Sequence, residues 1–73
     1  MLDPAFYIGR KGKITNKEYP DWTIEVVDDS VGETGGYFIL YFDKDGSGGD
    51  DWLEKKEHIP LYFANTDWVI EWH

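Results

Sequence analysis

Six consecutive apolar or aromatic residues, Tyr37-Phe38-Ile39-Leu40-Tyr41-Phe42, constrain this chain more than any other stretch. Gly35-Gly36 precedes the run and Asp43 follows it. A short aromatic run between turn formers predicts a β-strand rather than a helix. Side chains alternate faces along a strand, so Tyr37, Ile39 and Tyr41 share one face and Phe38, Leu40 and Phe42 the other. A strand apolar on both faces is expected near the centre of a sheet, with cover on both sides.

The neighbouring segments extend the pattern. Trp22, Ile24 and Val26 alternate with Thr23, Glu25 and Val27, which predicts a half-buried strand over Trp22–Asp28. Asp28–Gly36 is a turn-rich connection into the central run. Two readings suit the segment after the glycine-rich loop. Asp51 followed by Glu54 fits a helix N-cap with its capping-box partner, whereas Asp51–Glu54 also fits a strand returning along Tyr37–Phe42. Pro60 would interrupt a helix begun at Trp52, so the hairpin is preferred. Pro60 suits the first turn of a short helix or 3₁₀ turn over Pro60–Ala64. Trp68, Ile70 and Trp72 then share one face of a final strand. At the start, Met1–Ala5 reads as an arm, and Phe6–Ile8 with Lys13–Thr15 as one bent strand or a tight hairpin around Gly9–Gly12. Asn16–Asp21 reads as a loop. The fold class expected is mainly β, with four or five strands and one short helical turn before the last. That order resembles small SH3-like barrels; an open twisted antiparallel sheet packed on one helix is the other shape it allows.

At 73 residues the chain makes one domain. Such a domain buries a limited share of its surface, and without cysteine no disulfide can reinforce it. Four Trp, five Tyr and four Phe are its main apolar resource. The net charge is −8 and is unevenly placed. Arg10, Lys11, Lys13 and Lys17 lie in the first twenty residues, and only Lys44, Lys55 and Lys56 offset the acids that follow. An acidic surface argues against nucleic acid and anionic membranes. It favours a basic protein partner, steered by long-range attraction. The basic stretch beside Phe6 and Tyr7 is expected to pair with the protein's own acids. No apolar run approaches a membrane span or a secretory leader, so a cytoplasmic protein is expected.

Enzymatic chemistry finds no support in the residues. His58 and His73 are the only histidines, and no HExxH, nucleophile or phosphate-binding motif is present. The one constellation with ligand-like spacing is Asp43-Lys44-Asp45-Gly46-Ser47-Gly48-Gly49-Asp50-Asp51-Trp52-Leu53-Glu54. These twelve residues resemble an EF-hand calcium loop. The resemblance implies side-chain ligands from Asp43, Asp45, Ser47, Asp51 and Glu54, the Gly49 carbonyl, and a sharp-turn glycine at Gly48. Asp50 stands where that family places an apolar residue, no second loop follows, and a strand precedes the loop in place of a helix. A lone site of this kind implies affinity on the order of 10⁻⁴–10⁻³ M. The same residues also make an ordinary hairpin loop.

The function expected is therefore non-enzymatic protein binding. Aromatics beyond the needs of the core, from the set Tyr19, Trp22, Tyr37, Tyr41 and Trp52, would anchor the contact. Asp28, Asp29, Glu33, Asp50 and Asp51 would form an acidic rim around them. In size, charge and tryptophan content the chain resembles bacterial toxin-immunity proteins, which implies an inhibitor of a basic partner. A calcium-binding module and an accessory domain of a larger assembly are the alternatives. The sequence leaves the oligomeric state open.

Overall fold

The structure is a computed structural model and describes residues 3–73. Five antiparallel strands form one sheet: β1 (Lys11–Ile14), β2 (Thr23–Asp29), β3 (Gly36–Phe42), β4 (Gly48–Leu53) and β5 (Ile70–Trp72). Two helices, α1 (Pro4–Tyr7) and α2 (His58–Asn65), complete the fold. The strand order is β4-β3-β2-β1-β5, so the sheet is open and β4 and β5 are its edges. Of the two expected shapes, the open sheet is the one formed. No helix among the described residues is long and apolar enough to cross a membrane.

Register fixes which residues share a face. Val26 lies opposite Ile39, and Ile24 opposite Tyr41. Gly12 lies opposite both Ile24 and Trp72, and Ile14 opposite Ile70. Both helices cover this face. Ile24, Val26 and Ile39 of the sheet are fully buried with Ile59 of α2, and Tyr7 of α1 and Tyr37 close the core. Gly12 keeps β1 flat beneath this layer, because a Cβ there would run into Ile70 and the Glu71 carbonyl.

Most of the aromatic resource is spent here. Phe63 stacks on Tyr7 with ring centroids 5.1 Å apart and meets Trp72 edge-on at 5.3 Å. Tyr62 links this group to Trp68, which touches Tyr41 and Tyr19. Trp22 stacks on Tyr41 and meets Tyr19 edge-on. Such pairs contribute about 0.5–1.5 kcal/mol each beyond their buried area.

Three sequence expectations change. Phe6–Ile8 was expected to be extended, yet Phe6 and Tyr7 belong to α1. The Asp3 side chain accepts a hydrogen bond from the Ala5 N–H at 2.9 Å, and Pro4 occupies the first turn. An Asp cap followed by proline is a helix start. Met1 and Leu2, read as part of an arm, lie outside the described residues. The final strand is limited to Ile70–Trp72, and the Asn16 side chain holds the irregular segment before it. Its amide bonds the Asp67 carbonyl at 2.7 Å, and its carbonyl accepts from the Val69 N–H. Lastly, among the described residues β3 has cover on one face only.

The returning hairpin forms as preferred. β4 runs antiparallel to β3, with Trp52 opposite Phe38 and Asp50 opposite Leu40. The helix before the last strand begins at His58, two residues earlier than expected. Pro60 sits in its first turn, where the missing N–H costs nothing.

Candidate functional site

Three rows of side chains cross the uncovered face of the sheet. Trp52, Phe38 and Val27 form the first; Asp50, Leu40, Glu25 and Lys11 the second; Phe42, Thr23, Lys13 and Glu71 the third. Phe38, Leu40 and Val27 are half-buried by their neighbours alone, while Trp52 is 46% and Phe42 37% exposed. Neither helix packs on this face. The half built by β2, β3 and β4 is largely apolar with only acids among its charges, Glu25, Asp29 and Asp50. A depression of about 280 Å³, lined by Phe42, Thr23, Glu25, Lys11 and His73 among others, continues the apolar stripe towards β1.

Two glycines set the aromatic geometry. Gly36 lies diagonal to Trp52, and a Cβ on it would fall 2.4 Å from the indole Nε1. The indole therefore lies across bare backbone, fixed in place while half of it faces solvent. On the opposite face the Tyr41 ring lies over Gly49 in the same manner, its hydroxyl 2.8 Å from where a Cβ would stand. An aromatic ring laid across a strand glycine replaces the packing that the glycine lacks.

The residues singled out in the sequence separate. Tyr37 is buried in the core and offers nothing to a partner. Tyr19, Trp22 and Tyr41 are half-buried in the aromatic layer on the helix-covered side. Trp52 alone lies on the uncovered face. Asp29 pairs across from Gly36, beside the Trp52 indole, and its carboxylate accepts from the Thr34 backbone and hydroxyl. Asp28 lies opposite Tyr37, on the other side of the sheet. The Ser30 hydroxyl and N–H hold its carboxyl below the usual range. Glu33 is exposed in the β2–β3 turn. Asp50 points to the uncovered face and Asp51 to the other, where it accepts from the Tyr62 hydroxyl at 2.7 Å. Burial of Tyr62, with this bond second, raises its pKa well above that of a free tyrosine. Phe38, Leu40 and Phe42, read as core, are the functional candidates that the sequence reading missed. Strand alternation had already grouped them on one face.

The calcium-like loop is a hairpin. The Asp43 carboxylate accepts from the backbone N–H groups of Asp45 and Ser47 at 2.8 and 3.0 Å, and Asp43 N–H bonds the Ser47 carbonyl. The left-handed residue is Gly46, with φ of +85°, in place of Gly48. Gly48 opens β4 and is glycine for a different reason, since a Cβ would strike the Tyr41 carbonyl. Asp51 lies within β4 and Glu54 beyond its end, carried away from Asp43 and Asp45 by the strand. Among the described residues no three His, Asp or Glu side chains converge as metal ligands.

The basic stretch near the start is used internally in part. The Arg10 guanidinium stacks over Phe6 at 4.3 Å and bonds the Phe6 and His73 carbonyls. Lys13 pairs with Asp21 at 3.6 Å.

These features define a class of protein: one open antiparallel sheet, helices on one face, and an aromatic stripe on the other. Comparison with protein-family models, with curated proteins and with solved structures found no match.

Proposed function

We propose that this chain is a non-enzymatic protein-binding domain whose contact surface is the uncovered face of β2, β3 and β4. One observation carries the reading. Phe38, Leu40, Phe42 and Trp52 form a contiguous apolar stripe with no cover from the described residues. Contiguous apolar surface rimmed by polar residues marks interaction sites on small domains. Trp52 is the anchor, a large side chain already fixed over Gly36, so little freedom is lost when it is covered. Glu25, Asp29 and Asp50 rim the stripe. With a net charge of −8 they favour a partner with a basic contact surface. An inhibitor of a basic protein is the specific role that fits this anatomy.

The test is affinity capture with the whole chain, run beside a Phe42→Ser/Trp52→Ala variant and a Leu61→Ser control. Leu61 is exposed on α2, away from the sheet. A basic protein retained by the wild type and the control, lost by the double variant and eluted by moderate salt supports the reading. Equal retention by all three chains, or preys with no excess of Lys and Arg, would overturn it.

A further inference from the structure

The uncovered face ends at a free edge. β4 spans six residues, Gly48–Leu53, and only its β3 side is paired. Along such an edge alternate backbone N–H and C=O groups face outward, a template for another strand. The opposite edge, β5, is three residues long. The β4 edge carries Asp50 and Asp51 in succession. Successive side chains point to opposite faces, so the edge is acidic above and below the sheet. Neither acid has a salt bridge among the described residues.

This charge selects the occupant. Two copies of β4 paired antiparallel near their centre would set Asp50 against Asp50 or Asp51 against Asp51, and like charges directly opposite destabilise a strand pair. A second copy is therefore rejected at this edge. A strand with two successive basic residues meets the opposite situation, one cation reaching Asp50 on the uncovered face and the next reaching Asp51 on the other. The residue paired with Trp52 would lie on the uncovered face beside the indole and should be apolar. We propose that β4 is a strand-addition site for an extended segment of the partner, bearing two adjacent Lys or Arg residues next to an aliphatic one. The inference rests on the protein-binding reading above and gives the partner's mode of contact. Main-chain hydrogen bonds would supply affinity and the alternating side chains specificity.

The probe is a blocked peptide, Thr-Val-Arg-Lys-Thr-Val, titrated into the isotopically labelled chain, with Thr-Val-Glu-Glu-Thr-Val as control. Saturating amide shifts on Gly48–Leu53, with slowed hydrogen exchange at alternate β4 amides, are expected from the basic peptide alone. An Asp50→Lys/Asp51→Lys variant should bind about tenfold more weakly, from the loss of two solvent-exposed charge pairs. Shifts on Phe38, Leu40 and Phe42 without protection of β4 would overturn strand addition while leaving the face as a contact surface. Equal binding of the acidic peptide, or no shift at several millimolar, would also overturn it. The capture experiment decides the protein-binding reading separately.

Discussion

Ile39 and Leu40 are neighbours in β3 that point to opposite faces, so truncating each in turn measures how much cover each face has. Ile39 is fully buried, lies opposite Val26 and belongs to the cluster that Ile59 of α2 completes. Ile39→Ala removes buried methyl groups and leaves a cavity that the helix layer cannot fully close. Such changes cost about 2–5 kcal/mol. Leu40 is half-buried with solvent above it, so its truncation leaves no cavity. Full burial of such a side chain contributes about 1.5–3 kcal/mol, and half of that gives about 1 kcal/mol for Leu40→Ala. Changes in strand propensity are similar at the two sites and largely cancel in the comparison. The expected difference is about 1–4 kcal/mol. A domain of 73 residues has a total stability of about 4–11 kcal/mol at typical values per residue, so a difference of this size is readily measured. Each kcal/mol of it corresponds to about 4–8 °C in melting temperature. Urea unfolding followed by tryptophan fluorescence, with unchanged m-values, reads the two costs directly. Equal costs at the two positions would refute one-sided cover, and with it the surface on which the binding proposal stands. The same titration at two protein concentrations separates cover by a second copy, since only that makes the midpoint concentration-dependent.

Two further predictions follow from the hydrogen bonds. Asp43→Ala removes the acceptor for two backbone N–H groups in the β3–β4 turn and should destabilise the domain by about 1–2 kcal/mol, with Asp43→Asn recovering part of the loss in the same urea assay. Burial of Tyr62 and its bond to Asp51 hold its pKa above that of the unfolded chain, which titrates near about 10. The folded state therefore keeps its proton where the unfolded state loses it, so this stabilisation is complete below about pH 10 and declines as pH rises beyond it. Urea midpoints compared at pH 9 and pH 11 should fall less in Tyr62→Phe than in the parent chain.

Local pattern made the central part of the fold legible. The unbroken Tyr37–Phe42 run, the alternation of Trp22–Asp28 and the position of Pro60 each report a backbone preference carried by the residues themselves. The first helix was equally local, since Asp3-Pro4 is a cap followed by a first-turn proline, but the apolar Phe6-Tyr7-Ile8 invites an extended reading. The final strand was less accessible. Trp68 and Val69 alternate correctly, yet the Asn16 side chain, more than fifty residues away, holds the chain there outside the sheet ladder. Pairing across that distance leaves no trace in spacing.

The candidate site was legible only in part, because alternation says which residues share a face and not which face is covered. Tyr37 and Trp52 carry similar local signals, and tertiary placement buries one and exposes the other. The calcium-like spacing of Asp43–Glu54 likewise carried no information on curvature. Twelve residues with six oxygen donors can wrap an ion or turn back as a hairpin, and the structure has the hairpin, with Gly48 close against the Tyr41 carbonyl of β3.

Chain length, however, bears on cover. Five strands about 4.8 Å apart make a sheet about 20 Å wide. The elements available to cover it are α2, with eight residues, and α1, with four. At about 1.5 Å per residue they are about 12 and 6 Å long, enough for one face and no more. Among the described residues β3, apolar on both sides, is therefore left with one side uncovered. Phe38, Leu40 and Phe42 lie on that side, in line with Trp52. Simple solubility would be served by polar residues at those positions, as Thr23 shows on the adjacent strand and Lys11 and Lys13 on β1. The apolar stripe gives way to Glu25 and Thr23 on β2 and to Lys11 and Lys13 on β1, and the acids that flank it have no salt bridge among the described residues. That boundary is the one expected if, as proposed, a basic partner docks along β3 and β4.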